Sequence, residues 1–508
     1  MTEIYWWSHP LQFPLLGLIQ LLPLLGAWLL LWLRERPLAV PIGRLFALAE
    51  LGLAVLLYHQ IDARSPALQF AEYGELIGPF AYHAGADGLS VLFLLIAALI
   101  TVLISIYGLV RGLADPGRLL AVVLAVEGVL ASMLVSLNLL WFVLTSAVEI
   151  GLIGYLLWRW AAGAERSLAM TRYYQFQITG LLLMLAGVVV LGWSHGYTTG
   201  RGFSFDLLDL AANPVVEQLR TLVFFLLFYG MAIRTPLFPM HGWLPVVAEH
   251  GNIAIAPSLL LGVKVGIYGL LRFVLPIVPE AAMQWQPVVV AFAVAGVFYA
   301  ALIAFQQTNL RRMMAFAVIS HSSLIAIGVF SLDHAALQGA ALLAINFGLA
   351  ATTMLFMIGF VYLRTHTSDL TALGGLFDRI PFIGITFLVG GFAIVGMPGT
   401  PGFDAAHLVL EGAISRLGAL VTVAAALGNV VAAAFLLWAF QRAFLSPPGE
   451  QPAGRGARPL TEIEPTSRME YLVAGTVVTV LLATGFYMTP WLDLVAASMD
   501  ALSLRFGH

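Results

Sequence analysis

The chain has 508 residues, 60% hydrophobic and 10% charged, with a mean hydropathy of +0.93. Soluble domains carry charge on about a quarter of their residues, so this composition excludes one and points to a polytopic membrane protein. The net charge of −3 selects no partner. The absence of cysteine excludes thiolate metal sites, iron-sulfur clusters and disulfides held by this chain.

Met1 to Pro10 lacks the basic start of a cleavable signal peptide, so the first apolar run is expected to be retained. Apolar windows of about 20 residues, enough to cross ~30 Å of hydrocarbon, recur from Leu11 to Trp491. They predict an all-α polytopic membrane protein of about fourteen transmembrane helices: 11–33, 41–59, 86–110, 118–137, 139–159, 170–193, 218–250, 252–275, 285–306, 312–331, 337–363, 381–410, 417–441 and 469–491. Residues 60–85 and 194–217 read as ordered caps on one face.

Two of these helices are predicted to be broken. The seventh contains Arg234-Thr-Pro236-Leu-Phe-Pro239-Met-His241-Gly-Trp243-Leu-Pro245, where prolines cannot continue a regular helix. In lipid such a break survives only where it lines a polar cavity. The twelfth contains Val395-Gly396-Met-Pro398-Gly-Thr-Pro401-Gly-Phe-Asp404-Ala-Ala-His407. Corresponding breaks in two five-helix blocks are the expected mark of inverted repeats with an ion path between them. The organisation that follows has accessory helices over 1–117, repeats over 118–275 and 285–441, a Pro- and Gly-rich linker over 446–467 and a last helix over 469–491.

Threading the chain through alternate sides leaves only Arg64, Arg201, Arg220, Arg416 and Arg505 on one side, with most other arginines opposite. The arginine-rich side is then cytoplasmic, and both termini lie outside. Arg311 and Arg312 read as cytoplasmic anchors.

Ionisable groups inside a span need a partner, a water path or a neutral form. Lys264 is the only lysine in the chain and sits well inside an apolar helix. Lysine can release a proton where arginine cannot, so Lys264 is read as a titrating relay group; its plainer alternative is a snorkelling side chain. Glu127 and Glu149 read as proton carriers, or else as fixed clamps. Arg234 supplies field without protons, as an electrostatic gate or as a structural partner for Glu149. His241 and His321 bridge a water chain or cap helices. Asp404 and His407, three apart, face one cavity, or Asp404 caps the helix that restarts after Gly402.

Three runs carry a resemblance: Pro239-Met-His241-Gly-Trp243-Leu-Pro245, Lys264-Val-Gly-Ile-Tyr268-Gly-Leu-Leu-Arg272-Phe, and Asn309-Leu-Arg311-Arg312 through Ser320-His321. With Ala86-Asp87-Gly-Leu-Ser90, Thr365-His366-Thr-Ser-Asp369 and Gly396-Met-Pro398-Gly-Thr400, the chain over about 80–445 resembles the antiporter-like membrane subunits of respiratory complex I. The M-type (chain 4) is nearest in pattern, and relatives occur in Mrp antiporters and membrane hydrogenases. The resemblance implies a fourteen-helix fold and a proton path along a central hydrophilic axis. Glu149 would be the essential glutamate of the fifth helix, Glu127 the acid of the fourth and Lys264 the central lysine of the eighth.

The departures from the pattern are also specific. Arg234 stands where the family has a lysine, and Pro245-Val-Val-Ala-Glu249-His250 replaces Pro-Asp-Ala-His. Asn346 stands where a histidine or lysine is typical, and Ala406 where a glutamate is expected. Glu149 falls about two residues late, roughly 200° around a helix, so either a bulge restores its face or its role differs.

The function expected is translocation of protons, or of another cation such as Na+, by a subunit working with other membrane subunits in the cell's inner (plasma) membrane. No cofactor, metal or nucleic acid is expected on this chain, and any redox chemistry would belong to partners. The alternatives are a cation-coupled subunit driving a partner such as an inorganic-carbon uptake protein, and a non-conducting scaffold.

Overall fold

Most of the apolar runs form helices, and several of these start at a side-chain cap or on a proline in the first turn. The computed structural model describes residues 3–7, 13–77, 80–447 and 463–507. A short strand, β1 (Ile4–Trp6), precedes α1 (Leu15–Leu33) and α2 (Ala39–Gln60). The first predicted cap is then a hairpin of β2 (Leu68–Ile77) and β3 (Phe80–Ala86), with β1 added in parallel to β2. This three-stranded sheet is an addition to the all-α expectation, in a segment whose Tyr and Phe residues favour strands.

Four long helices follow: α3 (Gly88–Val110), α4 (Pro116–Val135), α5 (Leu139–Arg159) and α6 (Arg166–Thr199). Asp87 caps α3 by accepting from Ser90 N–H, and Asn138 caps α5 by accepting from Trp141 N–H. The second predicted cap is partly helical, because α6 runs on to Thr199 and α7 spans Leu207–Ala212. The first break separates α8 (Glu217–Arg234) from α9 (Leu244–His250).

The next span was expected as one helix and is not one. It is assembled from α10 (Ile255–Gly262), α11 (Val265–Gly269), a π-helical turn over Leu270–Val274 and α12 (Leu275–Ile277). After it come α13 (Pro279–Phe305), α14 (Leu310–Val329), α15 (His334–Thr365), α16 (Pro381–Val395), α17 (Pro401–Leu417), α18 (Ala419–Phe440) and α19 (Arg468–Phe486). The last span therefore ends at Phe486. A further helix, α20 (Thr489–Ser503), starts on a proline and lies against α3 and α15: a Cβ on Gly88 would fall 1.6 Å from the Leu494 carbonyl, and Gln338 donates to the Leu492 carbonyl at 2.8 Å.

Among the described residues, 12 helical segments are long and apolar enough to cross a membrane. The two expected crossings outside that set are those interrupted after Arg234 and Val395. Of the predicted linker 446–467, residues 448–462 lie outside the described residues. The segment from Ile255 to Ile277 is wholly buried, and α4, α14 and α15 nearly so, while α2 and α18 are mostly peripheral. The core thus encloses the segment that carries Lys264.

Candidate functional site

Pro236 and Pro239 stop α8 at Arg234. The Met231 carbonyl keeps its helical donor, Thr235 N–H at 2.9 Å, whereas the next two carbonyls turn to other donors: Ala232 accepts from Leu237 N–H at 2.9 Å and Ile233 from the Trp243 indole at 3.2 Å. Arg234 Nη2 donates to Glu149 Oε2 at 2.9 Å, with the two residues 5% and 1% exposed. Its Nε and Nη1 are buried with no protein partner. Helix α5 is regular throughout, so no bulge re-aims Glu149. The carboxylate nevertheless points inward, on the face it shares with Ser146 and Ile153.

Lys264 has φ +51° and ψ +44°, left-handed values at a break between α10 and α11. For a non-glycine residue this conformation costs about 1–2 kcal/mol, so the surrounding packing holds it there. Gly266 is part of that packing, since a Cβ on it would meet Thr235 Oγ1. The ammonium is buried, donates to Ser322 Oγ at 2.7 Å and lies 4.6 Å from the Phe347 ring centre. Cation and ring attract through the ring quadrupole.

The His321 ring stacks on Phe347 at 4.9 Å, so Phe347 contacts both Lys264 and His321. His321 Nδ1 donates to the Ala317 carbonyl at 3.2 Å, which leaves Nε2 as the acceptor in the neutral tautomer. Lys264, Ser322, Phe347 and His321 therefore form one cluster, joined through Gly266 and Thr235 to the Arg234–Glu149 pair.

The other predicted residues stand apart from it. Glu127 is buried and accepts from Thr101 Oγ1 at 2.5 Å. His241 packs against the rings of Phe238 and Tyr299, with centroids 5.6 and 5.3 Å away, and those two rings touch each other at 5.0 Å. Arg311, expected as a surface anchor, is buried and donates to the Gly251 carbonyl at 2.7 Å, whereas Arg312 is half-buried and pairs with Glu249 at 3.0 Å.

The second break is a correction. Gly396 takes φ +68° after α16, and the orphaned carbonyls of Ala393 and Val395 are taken by the amides of Asn346 and Asn429 at 2.8 and 2.6 Å. Neutral amides thus cap the break. Asp404 and His407 do not enter a cavity here: Asp404 is half-buried and His407 exposed on the outside of α17. Nor does Asp404 cap the helix, which starts at Pro401 with Thr400 at its N-cap and no capping side-chain bond.

Some groups were not singled out in the sequence. Glu50 on α2 is 1% exposed and its Oε2 has no protein partner; an acid within an apolar window was its only signal. Asp87 and Arg272 form a buried ion pair, with Nη1 to Oδ2 at 3.0 Å, and Arg272 also donates to Ser90 Oγ at 3.0 Å and to the Tyr268 hydroxyl at 3.2 Å. Two of the motifs that carry the resemblance therefore meet. So do two others, because Leu310 N–H donates to the Ser368 carbonyl at 2.8 Å.

Residues 131–432 match the family described as "NADH:quinone oxidoreductase/Mrp antiporter, TM". The chain belongs to this family. NADH-quinone oxidoreductase subunit M of Pseudomonas aeruginosa is 33% identical over 351 residues, covering 67% of this chain and 65% of that one. The F(420)H(2) dehydrogenase subunit M of Methanosarcina mazei is 27% identical over 97% of this chain and 99% of its own length. A chain of respiratory complex I from Thermus thermophilus matches with a TM-score of 0.86 and 28% identity over 97% of this chain and 100% of that one. The predicted fold is therefore that of an antiporter-like complex I subunit, and other membrane subunits are its expected company.

Proposed function

We propose that this antiporter-like subunit translocates protons across the cell's inner membrane as part of a larger assembly, through Glu149, Arg234, Lys264 and His321. The observation that carries the reading is the contact between two helix breaks, one ending at Arg234 and the other opened by Lys264. Irregular backbone at membrane depth is tolerated where it serves a polar path, and the ionisable groups here sit at those breaks. Lysine is the group that releases the proton; Arg234 holds Glu149 and acts through its field. The two blocks 118–275 and 285–441 would each contribute one proline break, with both termini outside.

Two relatives that differ in their named electron donor, NADH and F(420)H(2), share the subunit type. This supports placing donor chemistry in partner subunits. In the reconstituted assembly, Lys264→Ala and Glu149→Gln should each abolish proton flux while the assembly stays intact. Wild-type flux in both variants would remove the proposal.

A second reading is favoured by the neutral capping of the second break by Asn346 and Asn429. In it the subunit couples a cation gradient to a partner such as an inorganic-carbon uptake protein. A carbonic-anhydrase-like neighbour in the operon, in place of a full set of redox subunits, would decide for it.

A further inference from the structure

We propose that the outer face of α17 is a docking surface for a neighbouring membrane subunit, which presents a basic side chain on a transmembrane helix to Asp404, His407 and Glu411. This rests on the reading of the chain as one subunit of a membrane assembly. Phe403, His407, Glu411 and Ile414 are all exposed, and their spacing places them on one stripe of the helix, with Asp404 beside it. The opposite face is fixed inward. A Cβ on Gly412 would fall 2.5 Å from the Ala336 Cβ, and one on Gly339 would fall 2.7 Å from the Ala405 carbonyl, so α17 cannot rotate to turn the stripe into the bundle.

Depth makes the stripe unusual. Arg416, at the end of α17, pairs with Asp333 at 3.8 Å, where α15 also begins, and this marks a surface. Helix α15, 32 residues and ~48 Å long, exceeds the ~30 Å hydrocarbon core by ~18 Å; with half of that excess on the Arg416 side, His407, ~13 Å along α17 from Arg416, lies ~4 Å inside the core and Asp404, ~18 Å along, lies ~9 Å inside it. Ionisable groups at that depth face protein or water and not lipid chains. Two carboxyl groups and one imidazole call for a cationic partner. The exposed Phe403, Ile414 and Phe486 supply the apolar contact expected around such a polar centre.

The chain has no cysteine, so an introduced thiol is the single labelled position on this chain, and crosslinks are read on products that contain it. In the complete assembly purified from native membranes, His407→Cys carrying a benzophenone maleimide should, on illumination, crosslink to a different membrane subunit, within a helix that contains Lys or Arg. Where that variant does not accumulate, Glu411→Cys serves for the same measurement. The paired variant Asp404→Asn, Glu411→Gln should lower recovery of that neighbour by roughly tenfold or more at an unchanged level of this chain in the membrane. Crosslinking only to lipid or to a second copy of this chain, or unchanged recovery in the paired variant, overturns the proposal within an intact assembly. A wild-type chain that purifies with no other membrane subunit overturns the assembly reading as well.

Discussion

Gly266 and Thr235 touch so closely that a Cβ on the glycine would lie 1.9 Å from Thr235 Oγ1 and 2.5 Å from the Met231 carbonyl. No side chain separates the turn that ends in Arg234 from the segment that Lys264 opens. Close-packed interiors transmit displacement, so a shift in the Arg234–Glu149 pair moves the segment that positions the amine. Gly266→Ala should therefore cost about 1–3 kcal/mol through overpacking and reduce flux together with the thermal midpoint. A variant with both at wild-type values would show that the breaks are not locked together.

The amine itself is tested by charge-keeping and charge-removing substitutions. Lys264→Arg preserves a cation that cannot release its proton, and Lys264→Met removes the cation. Both should abolish flux in an assembly that still forms. Ser322→Ala removes a 2.7 Å hydrogen bond to a charged group, worth about 1.5–3 kcal/mol, and should lower flux without eliminating it. Flux retained in Lys264→Arg would show that the group acts only as a fixed charge.

Both proline breaks were legible, because each combines two or more prolines, which remove donors and crowd the preceding turn, with glycines close by, whereas the single Pro23 and Pro287 are accommodated inside α1 and α13. The break at Lys264 was not: Gly262, Gly266 and Gly269 are compatible with a helix, and the interruption is enforced by contacts with α8 and α15. Sequence located Glu149, Arg234, Lys264 and His321 and offered Arg234 as a partner for Glu149, but it could not join Lys264 to His321, since Phe347, which contacts both, carries no sequence signal of its role. For Asp404 and His407 the spacing gave a shared face without its direction. In a membrane protein an ionisable stripe is not turned outward by water alone, so periodicity left the choice open. Arg311 reads as a surface anchor, and only tertiary contacts reveal that it is buried.

The three-stranded sheet provides a pH test away from Lys264. Burial against α1 raises the Glu72 carboxyl above its usual range, opposed by hydrogen bonds from Gly17 N–H at 2.9 Å and the Tyr82 hydroxyl at 3.2 Å. A raised folded-state value means that the folded chain holds the proton more tightly. The associated stability is present below the unfolded value and is lost as pH rises through the raised one. Glu72→Gln keeps an acceptor and removes the titration. Its thermal midpoint should gain on wild type as pH rises above the carboxyl's ordinary range; a difference that does not change with pH would exclude Glu72 as the source.

Arg364, on the last turn of α15, ties down the final span. Its guanidinium donates to both Glu470 carboxylate oxygens at 2.6 Å and to the carbonyls of Glu464 at 2.8 Å, Pro465 at 3.0 Å and Phe360 at 3.1 Å. Glu470 in turn closes a capping box with Ser467 at the start of α19, accepting from Ser467 N–H at 2.6 Å. Both members of the pair are buried, so removing either leaves an uncompensated charge, at a cost of about 3–5 kcal/mol. Glu470→Gln should lower the thermal midpoint strongly, and Arg364→Lys should do so as well, because an ammonium cannot reproduce the planar fork. Replacing both residues by apolar ones of similar volume should recover much of the loss, since no charge then remains buried. A paired variant no more stable than the two single variants would show that the fork's bonds to the Glu464 and Pro465 carbonyls, and not charge compensation, hold α19 in place.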